Sequence, residues 1–456
     1  MPPTVLWFRR DLRLADHPAL LAARDEAGRD GSVLGLFVLD DALRSPSGPV
    51  RLAFLYRCLR ALDEQLDGRL CIRSGDPAVV VPALAAEVGA TSVHISEDFG
   101  PYGRRRDAAV ETALDGSGRR LVRSGSPYAV SPGRILKGEG TPYRVYTPYY
   151  RAWKEHGVRT SAHGVRTVPW HDLAGLGGED IPVEPDLGGT ELPDAGEQAA
   201  ATRLKVFLAN ARAYGENRNL PGRDATSRLS PYLKYGCIHP RTVLAELGDS
   251  KGEGAARGEI AWRDFYADVL FHQPGSARWD LTDALAGMRY GNESAERDDE
   301  LFVAWTRGRT GYPIVDAGMR QLLAEGWMHN RVRMITASFL IKDLHLHWQR
   351  GARWFLQRLA DGDLASNNHG WQWTAGTGTD AAPFFRVFNP TLQGEKFDPN
   401  GDYVRRYVPE LADVPASKLH EPWTLPGGVP KGYVEPIVDH ATERKESLAR
   451  YQDARS

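Results

Sequence analysis

Glu259, Trp262 and Arg263 fall within one helical turn, and a spacing of three puts Glu259 and Trp262 on the same face. A carboxyl group beside a flat aromatic ring is what a pocket needs to stack a nucleobase and hydrogen-bond its edge. The run Trp327-Met328-His329-Asn330-Arg331-Val332-Arg333-Met334 adds an amide, two guanidinium groups and a thioether. Asn330 and Met334, four apart, share a face, and Arg333 is a suitable partner for a carboxylate such as Asp361. Asp361-Gly362-Asp363 places two carboxylates on a turn. They can accept from ribose hydroxyls or a ring N–H, and in isolation they equally fit a solvated turn or a weak cation site. Thr226-Ser227-Arg228-Leu229-Ser230 offers hydroxyls and backbone amides at a helix start, which suits phosphate oxygens and also suits plain capping. Eight of the twelve tryptophans lie between Trp262 and Trp373, a clustering beyond the ordinary use of Trp as core mass.

Two kinds of element must carry these groups. Up to residue 125, short apolar runs alternate with helical patterns: Val5 to Phe8, Val33 to Leu39, Leu70 to Arg73, Ser92 to Ser96 and Arg120 to Val122 read as strands. Helices are expected from Pro18, over Arg51 to Leu66, from Asp76-Pro77 to a stop at Gly89, and over about Arg104 to Leu114. Such alternation implies a doubly wound, Rossmann-like parallel sheet. Yet the loop after the first strand is Arg9-Arg10-Asp11-Leu12-Arg13, without G-x-G-x-x-G, which counts against a nicotinamide dehydrogenase. Residues 126–195, rich in Gly, Pro and acids, read as an interdomain linker. From 196 to 456 the periodicity is helical, over Ala199 to Ala213, Pro240 to Leu247, Glu259 to Phe271, Ile314 to Glu325, Arg331 to Asp343 and Trp348 to Asp361, and predicts a large, mainly helical second domain.

Composition excludes several classes. With 42% hydrophobic and 25% charged residues the chain is an ordinary globular protein, and a net charge of -2 excludes a histone-like basic coat. Charge is nonetheless uneven: Arg309 to Arg358 holds eight basic against three acidic residues, and Asp172 to Glu197 holds eight acids and no base. A local basic face can still hold a phosphate backbone, and a solvated helix face explains the excess equally well. Three cysteines, Cys58, Cys71 and Cys237, without a C-x-x-C pair, argue against a disulfide framework or cysteine-built zinc site. The N-terminus lacks a secretory apolar stretch and the apolar runs are too short to span a bilayer, so a cytoplasmic protein without membrane or metal dependence is expected.

Longer strings carry more. Val5-Leu-Trp-Phe-Arg-Arg-Asp-Leu-Arg-Leu, Thr310-Gly-Tyr-Pro-Ile-Val-Asp, Trp327-Met-His-Asn-Arg-Val-Arg-Met, Asp363-Leu-Ala-Ser-Asn-Asn-His-Gly-Trp-Gln-Trp and Phe388-Asn-Pro-Thr-Leu-Gln-Gly-Glu-Lys-Phe resemble the photolyase and cryptochrome family, in particular its class I branch acting on cyclobutane pyrimidine dimers. The likeness spans nearly the whole chain. It implies an N-terminal α/β antenna domain, a linker, and an all-α domain that binds FAD and UV-damaged DNA, in a protein expected to be monomeric. By this resemblance Tyr214 and Thr226 to Ser230 hold the FAD phosphates and neighbouring atoms. Asp361, with Gly362, and Asp363 hold its ring and ribose, and Arg333 is salt-bridged to Asp361. Asn367 falls beside flavin N5, where plant cryptochromes carry an acid and insect ones a cysteine.

The same resemblance bears on substrate. The (6-4) photolyases are expected to show histidines at the positions of Asn330 and Met334, because their reaction needs proton transfer; this chain has neither. Repair of a cyclobutane dimer by a lent electron is implied instead. Arg218, Arg331 and Arg263 would track the DNA backbone, Trp262 and Trp373 wall the pocket, Glu259 hydrogen-bond the dimer carbonyl, and Gln393 support the opened duplex. Trp371 and Trp348 match the proximal and middle members of the family's electron-hopping triad, while Tyr290 stands where the surface tryptophan is usual and is expected as terminal donor. Glu97 to Arg104 looks like the branch whose antenna is 8-hydroxy-5-deazaflavin, with methenyltetrahydrofolate the alternative. A cryptochrome-type light sensor is the main rival, opposed by Asn367, Met334, the Glu259 and Trp262 pair and the short segment after Gln393. A nucleotide-binding enzyme using the α/β domain alone is the second.

Overall fold

The computed structural model describes residues 2–162, 167–380 and 385–455. Five strands, β1 (Thr4–Phe8), β2 (Val33–Leu39), β3 (Leu70–Ser74), β4 (Ser92–Ile95) and β5 (Arg120–Arg123), form one parallel sheet in the order β3-β2-β1-β4-β5. Val5 is paired with Leu34 on one side and Val93 on the other. Every residue of β1 and β2 is buried, as a parallel sheet covered on both faces requires, and this is why these strands are unbroken apolar runs. The crossovers are helices α1 (Pro18–Ala27), α2 (Asp41–Arg44), α3 (Pro49–Gln65), α4 (Pro77–Glu87) and α5 (Pro101–Asp115). Proline opens four of these five, and Asp76 caps α4 by accepting from Ala78 N–H.

The strand order reverses beside β1, and there the chain carries Arg9 instead of a glycine-rich loop. Arg9 Nη1 lies 2.6 Å from Asp107, and Arg106 lies 2.8 Å from Asp107 and 3.3 Å from Asp98. These guanidinium–carboxylate pairs occupy the carboxyl end of the sheet with mutually satisfied charge.

The chain divides into two compact units. The first comprises residues 1–187, 193–212 and 227–274, and so runs well past residue 125. Within the segment read as a linker it contains a helix, α6 (Tyr146–His156), that composition did not signal. It also holds α7 (Glu197–Leu208), α9 (Ser230–Tyr235), α10 (Pro240–Glu246) and α11 (Lys251–His272). Gly236 ends α9 at φ 69°, and a Cβ there would sit 2.0 Å from the Arg10 carbonyl oxygen, so both the left-handed turn and the close approach need glycine. Arg13 completes that junction by donating to Gly236 O at 3.0 Å.

The second unit, residues 188–192, 213–226 and 275–456, is helical, with α8 (Tyr214–Asn217), α12 (Ala295–Thr306), α13 (Pro313–Glu325), α14 (Asn330–Lys342), α15 (Trp348–Arg358), α16 (Leu364–Ala375), α17 (Pro390–Phe397), α18 (Asp402–Tyr407) and α19 (His440–Asp453). Its core runs through Trp305, Met319, Val332, Phe339, Trp348, Phe355 and Trp371. Together the parallel sheet and the helical unit give the expected fold class. None of the described helices is long and apolar enough to cross a membrane.

Close packing of α15 on α16 depends on Gly351: a Cβ there would lie 2.1 Å from Trp371 Cη2 and 2.7 Å from Leu340 Cδ2. Gly351→Ala must therefore displace a buried indole, and a loss of about 2 kcal/mol is expected. Denaturant unfolding checks it, and a variant as stable as the parent would refute the packing argument.

Candidate functional site

In the first unit the working face belongs to α11. Trp262 and Glu259 are both half-buried on it. The Trp262 ring stacks on Tyr146 with centroids 3.6 Å apart and planes 9° from parallel, and Tyr266 leans on it at 5.3 Å. Tyr146 is fixed in turn, its hydroxyl donating to Gly258 O at 2.7 Å. The buried carboxylate of Asp264 ties this arrangement down, accepting from Trp153 Nε1 at 3.0 Å and from Val130 N–H at 2.9 Å. Burial pushes its pKa up to about 6 against those stabilising bonds. Asp268, one turn on, accepts from Gly133 N–H at 2.7 Å. Residues 130–153 are thus strapped to α11, and they supply the second face of the Trp262 sandwich. No signal in the sequence pointed to Tyr146.

Arg263 ties neighbouring backbone segments together. Its Nη1 and Nη2 donate to the carbonyls of Pro127 at 2.8 Å and Leu233 at 3.1 Å, and its guanidinium lies 4.6 Å from the Tyr128 ring centre. Two of its five N–H donors are thus taken up by backbone oxygens, and Arg263 acts as a structural tie as well. Ser227, Arg228, Leu229 and Ser230 also belong to this unit. Arg228 adopts φ 49°, a left-handed conformation uncommon for a branched-chain-free but Cβ-bearing residue, and α9 starts without a side-chain cap.

In the second unit, Arg333 Nη2 lies 2.8 Å from Asp361 Oδ2, and Arg333 Nε donates to Met328 O at 2.8 Å. The other oxygen, Asp361 Oδ1, is buried and has no protein partner. A buried carboxylate oxygen left open beside its counter-ion suits an N–H supplied by a ligand, which fits a flavin ring. Next to it Gly362 donates to Leu359 O, and Asp363 caps α16 by accepting from Ser366 N–H at 3.1 Å. Asn367 Nδ2 donates to Ala352 O at 3.1 Å and Asn368 Oδ1 at 2.9 Å, leaving its own amide oxygen to other donors. Tyr214, at the start of α8, is buried, and Thr226 is half-buried. On α14, Asn330 is exposed and Met334 half-buried one turn later; Arg331 donates to Asn219 Oδ1 at 2.9 Å and lies over Phe397 at 4.6 Å. Arg218 follows α8, 5.8 Å from the Tyr214 ring centre, and Gln393 is half-buried on α17. Among the described residues there is no group of three or more His, Cys, Asp or Glu able to hold a metal ion.

Residues 4–167 match the family model described as DNA photolyase, and residues 256–453 match that described as the FAD binding domain of DNA photolyase. A relative from Streptomyces griseus named deoxyribodipyrimidine photo-lyase is 42% identical, covering 100% of this chain and 99% of its own. The chain belongs to the DNA photolyase family. Among solved structures, a bacterial class III photolyase from Agrobacterium tumefaciens aligns with a TM-score of 0.88 at 38% identity over 100% of this chain and 98% of that one. A cryptochrome from Synechocystis aligns with a TM-score of 0.84 at 26% identity over 98% and 99%.

The aromatic residues expected to relay electrons in such a photolyase-family protein lie on α15, α16 and the loop before α12. Trp371 is 2% exposed and Trp348 1%. Trp371 sits on Gly351, one turn beyond Trp348, and has Phe355 at 5.0 Å and Trp305 at 6.1 Å, the latter a neighbour that the sequence reading passed over. Tyr290 does not meet Trp348 by direct stacking: its ring lies 4.6 Å from His347, which lies 5.9 Å from Trp348. Trp373 donates from Nε1 to Asp380 O at 3.1 Å.

Trp373 also lines a cavity of about 50 Å³ with Ser338, Lys342, Phe385, Arg386 and Tyr451. Lys342 was not singled out from sequence, where it looks like any helix-terminal lysine. Its ammonium donates to the Arg386 carbonyl and lies 4.1 Å from the Phe385 ring centre. Burial pushes its pKa down to about 7, against the pull of Asp343. The unfolded lysine titrates near 10.4, so between about pH 7 and 10 the unfolded chain holds the extra proton and stability rises with pH. Lys342→Met should therefore stabilise more at pH 6 than at pH 9, by roughly 2 to 3 kcal/mol for a shift of this size. Denaturant titrations at the two pH values check this, and equal gains would refute it.

Proposed function

We propose that this protein repairs cyclobutane pyrimidine dimers in UV-damaged DNA by light-driven electron transfer, as a carbon–carbon lyase. The observation that carries the reading is the Glu259 and Trp262 pair on α11, with Trp262 held flat against Tyr146 at 3.6 Å. When bound in its reduced form, FAD supplies the photoexcited electron. Asp361 would accept from a ring N–H through its open Oδ1, with Arg333 fixing the carboxylate; Asp363 would meet the ribose, Asn367 the region of N5, and Tyr214 with Thr226 to Ser230 the phosphates.

The remaining work falls to the chain's own side chains. An extruded dimer is a flat, apolar body, and Trp262, half-buried on α11, would offer it a ring to stack on. Glu259 would hydrogen-bond a carbonyl oxygen of the lesion and strengthen that bond as negative charge develops there. Asn330 and Met334 would offer the lesion an amide and a thioether. The lack of imidazole on that face of α14 suits a substrate split by electron transfer alone, and so supports the dimer over the (6-4) product. Arg218 and Arg331 would meet phosphates, and Gln393 the opened duplex.

For the antenna, we read the Glu97 to Arg104 segment as a site for 8-hydroxy-5-deazaflavin. Phe99 is buried against Tyr128 and Phe271, and Asp98 pairs with Arg106, which fixes the segment and leaves Glu97 exposed. Pigment released from native protein, identified by absorption and mass, tests this; methenyltetrahydrofolate would overturn it.

Illumination of the reduced, FAD-loaded protein with a dimer-containing oligonucleotide should restore thymine. Trp262→Ala should weaken binding by roughly tenfold, the worth of one lost base-stacking contact. Glu259→Ala should bind comparably and lower the repair yield per photon several-fold, about one charge-assisted hydrogen bond. Absence of any light-dependent thymine in the parent protein would end the proposal.

A further inference from the structure

Trp371 has Trp305 at 6.1 Å and packs on Gly351, one turn from Trp348 on α15, and the indole nitrogens of Trp305 and Trp348 face different partners. Trp305 Nε1 donates to a backbone carbonyl, Thr336 O, at 3.1 Å. Trp348 Nε1 donates to a carboxylate, Asp280 Oδ1, at 2.7 Å. The same oxygen accepts from Thr377 Oγ1 at 3.0 Å, which fixes its aim. Asp280 is half-buried, so the carboxylate connects a fully buried indole to the protein surface.

We propose that Asp280 is the proton acceptor for Trp348, and that this makes Trp348 rather than Trp305 the place where the vacancy is trapped. The proposal rests on the reading of Trp371 and Trp348 as an electron relay driven by photoexcited oxidised flavin. An indole that has lost an electron turns its N–H into an acid of about carboxylic-acid strength. A carbonyl oxygen can steady that charge and cannot keep the proton; a carboxylate does both.

One electron leaves Trp348 for electron-deficient Trp371. The Nε1–H bond of Trp348 breaks, its electron pair stays on nitrogen, and the proton forms an O–H bond on Asp280. A neutral indolyl radical and a neutral carboxylic acid remain. An external thiol then returns the electron, and Asp280 returns the proton.

The neighbouring titratable groups do not compete. His347 has its Nδ1 committed to Gln349 N–H at 3.3 Å, and burial lowers its pKa. Tyr290 is held neutral, burial and then Asp280 raising its pKa.

Transient absorption on the oxidised, FAD-loaded protein tests the assignment through the spectrum of the radical. In the parent, the protonated indole radical should convert to the neutral form, more slowly in D2O. Asp280→Asn keeps an acceptor oxygen and loses the base. It should leave the radical protonated and cut the long-lived radical yield roughly tenfold, the worth of one charge-assisted hydrogen bond. Trp348→Phe should abolish the long-lived radical. If it does not, the relay reading falls and the proposal with it. If it does, while Asp280→Asn still forms the neutral radical at the parent rate, only the Asp280 assignment falls. Should Asp280→Asn fail to fold, the parent decides: a conversion rate unchanged in D2O overturns the proposal.

Discussion

The Arg333–Asp361 ion pair is the contact around which the helical unit is arranged. It joins α14, which carries Asn330 and Met334, to the turn that launches α16, which carries Asn367, Trp371 and Trp373. Burying a carboxylate is costly unless its lone pairs are met, and Arg333 meets only one side of Asp361. The fold therefore retains an unmet acceptor in a protected place. That is a poor use of a residue for stability alone and a good one for recognising a ligand with an N–H to give.

Much of the fold could be read from the chain because its punctuation is strong. The strands β1 and β2 are apolar runs too short for helices, and Asp76-Pro77 opens α4 as a cap and first-turn proline should. The helix α6 was missed because its surroundings are rich in Gly and Pro and because its stability comes from elsewhere. Tyr149 and Trp153 are buried, and Trp153 is held by Asp264, more than a hundred residues away. No local pattern reveals such a partner. The backbone partners of Arg263 were hidden for the same reason: residue type says that a guanidinium will find oxygens, and only the folded chain says that two of them are the carbonyls of Pro127 and Leu233.

Several of the strings that carried the resemblance turn out to encode helix starts as well as chemistry. Asp316 in Thr310 to Asp316 accepts from the Thr310 and Gly311 N–H groups, the Thr310 hydroxyl and Tyr433, and thereby builds the entrance to α13. His329 caps α14, Asp363 caps α16 and Asn389 caps α17. The candidate residues Asn330, Asn367 and Gln393 each lie within a turn or so of such a cap. Their positions are set by backbone hydrogen bonding at helix ends, where the geometry is least free to drift. Candidate site residues were legible for this reason, whereas Tyr146 and Lys342, placed by tertiary packing, were not.

Gly351 carries a meaning beyond packing. Electron tunnelling falls off exponentially with separation, so under the proposed relay the absence of a Cβ at Gly351, which lets the Trp371 indole close on the helix that Trp348 begins, would shorten the gap a charge must cross. A hydrogen atom in place of a side chain would then be the spacer of a molecular wire, and its size would set how readily current flows.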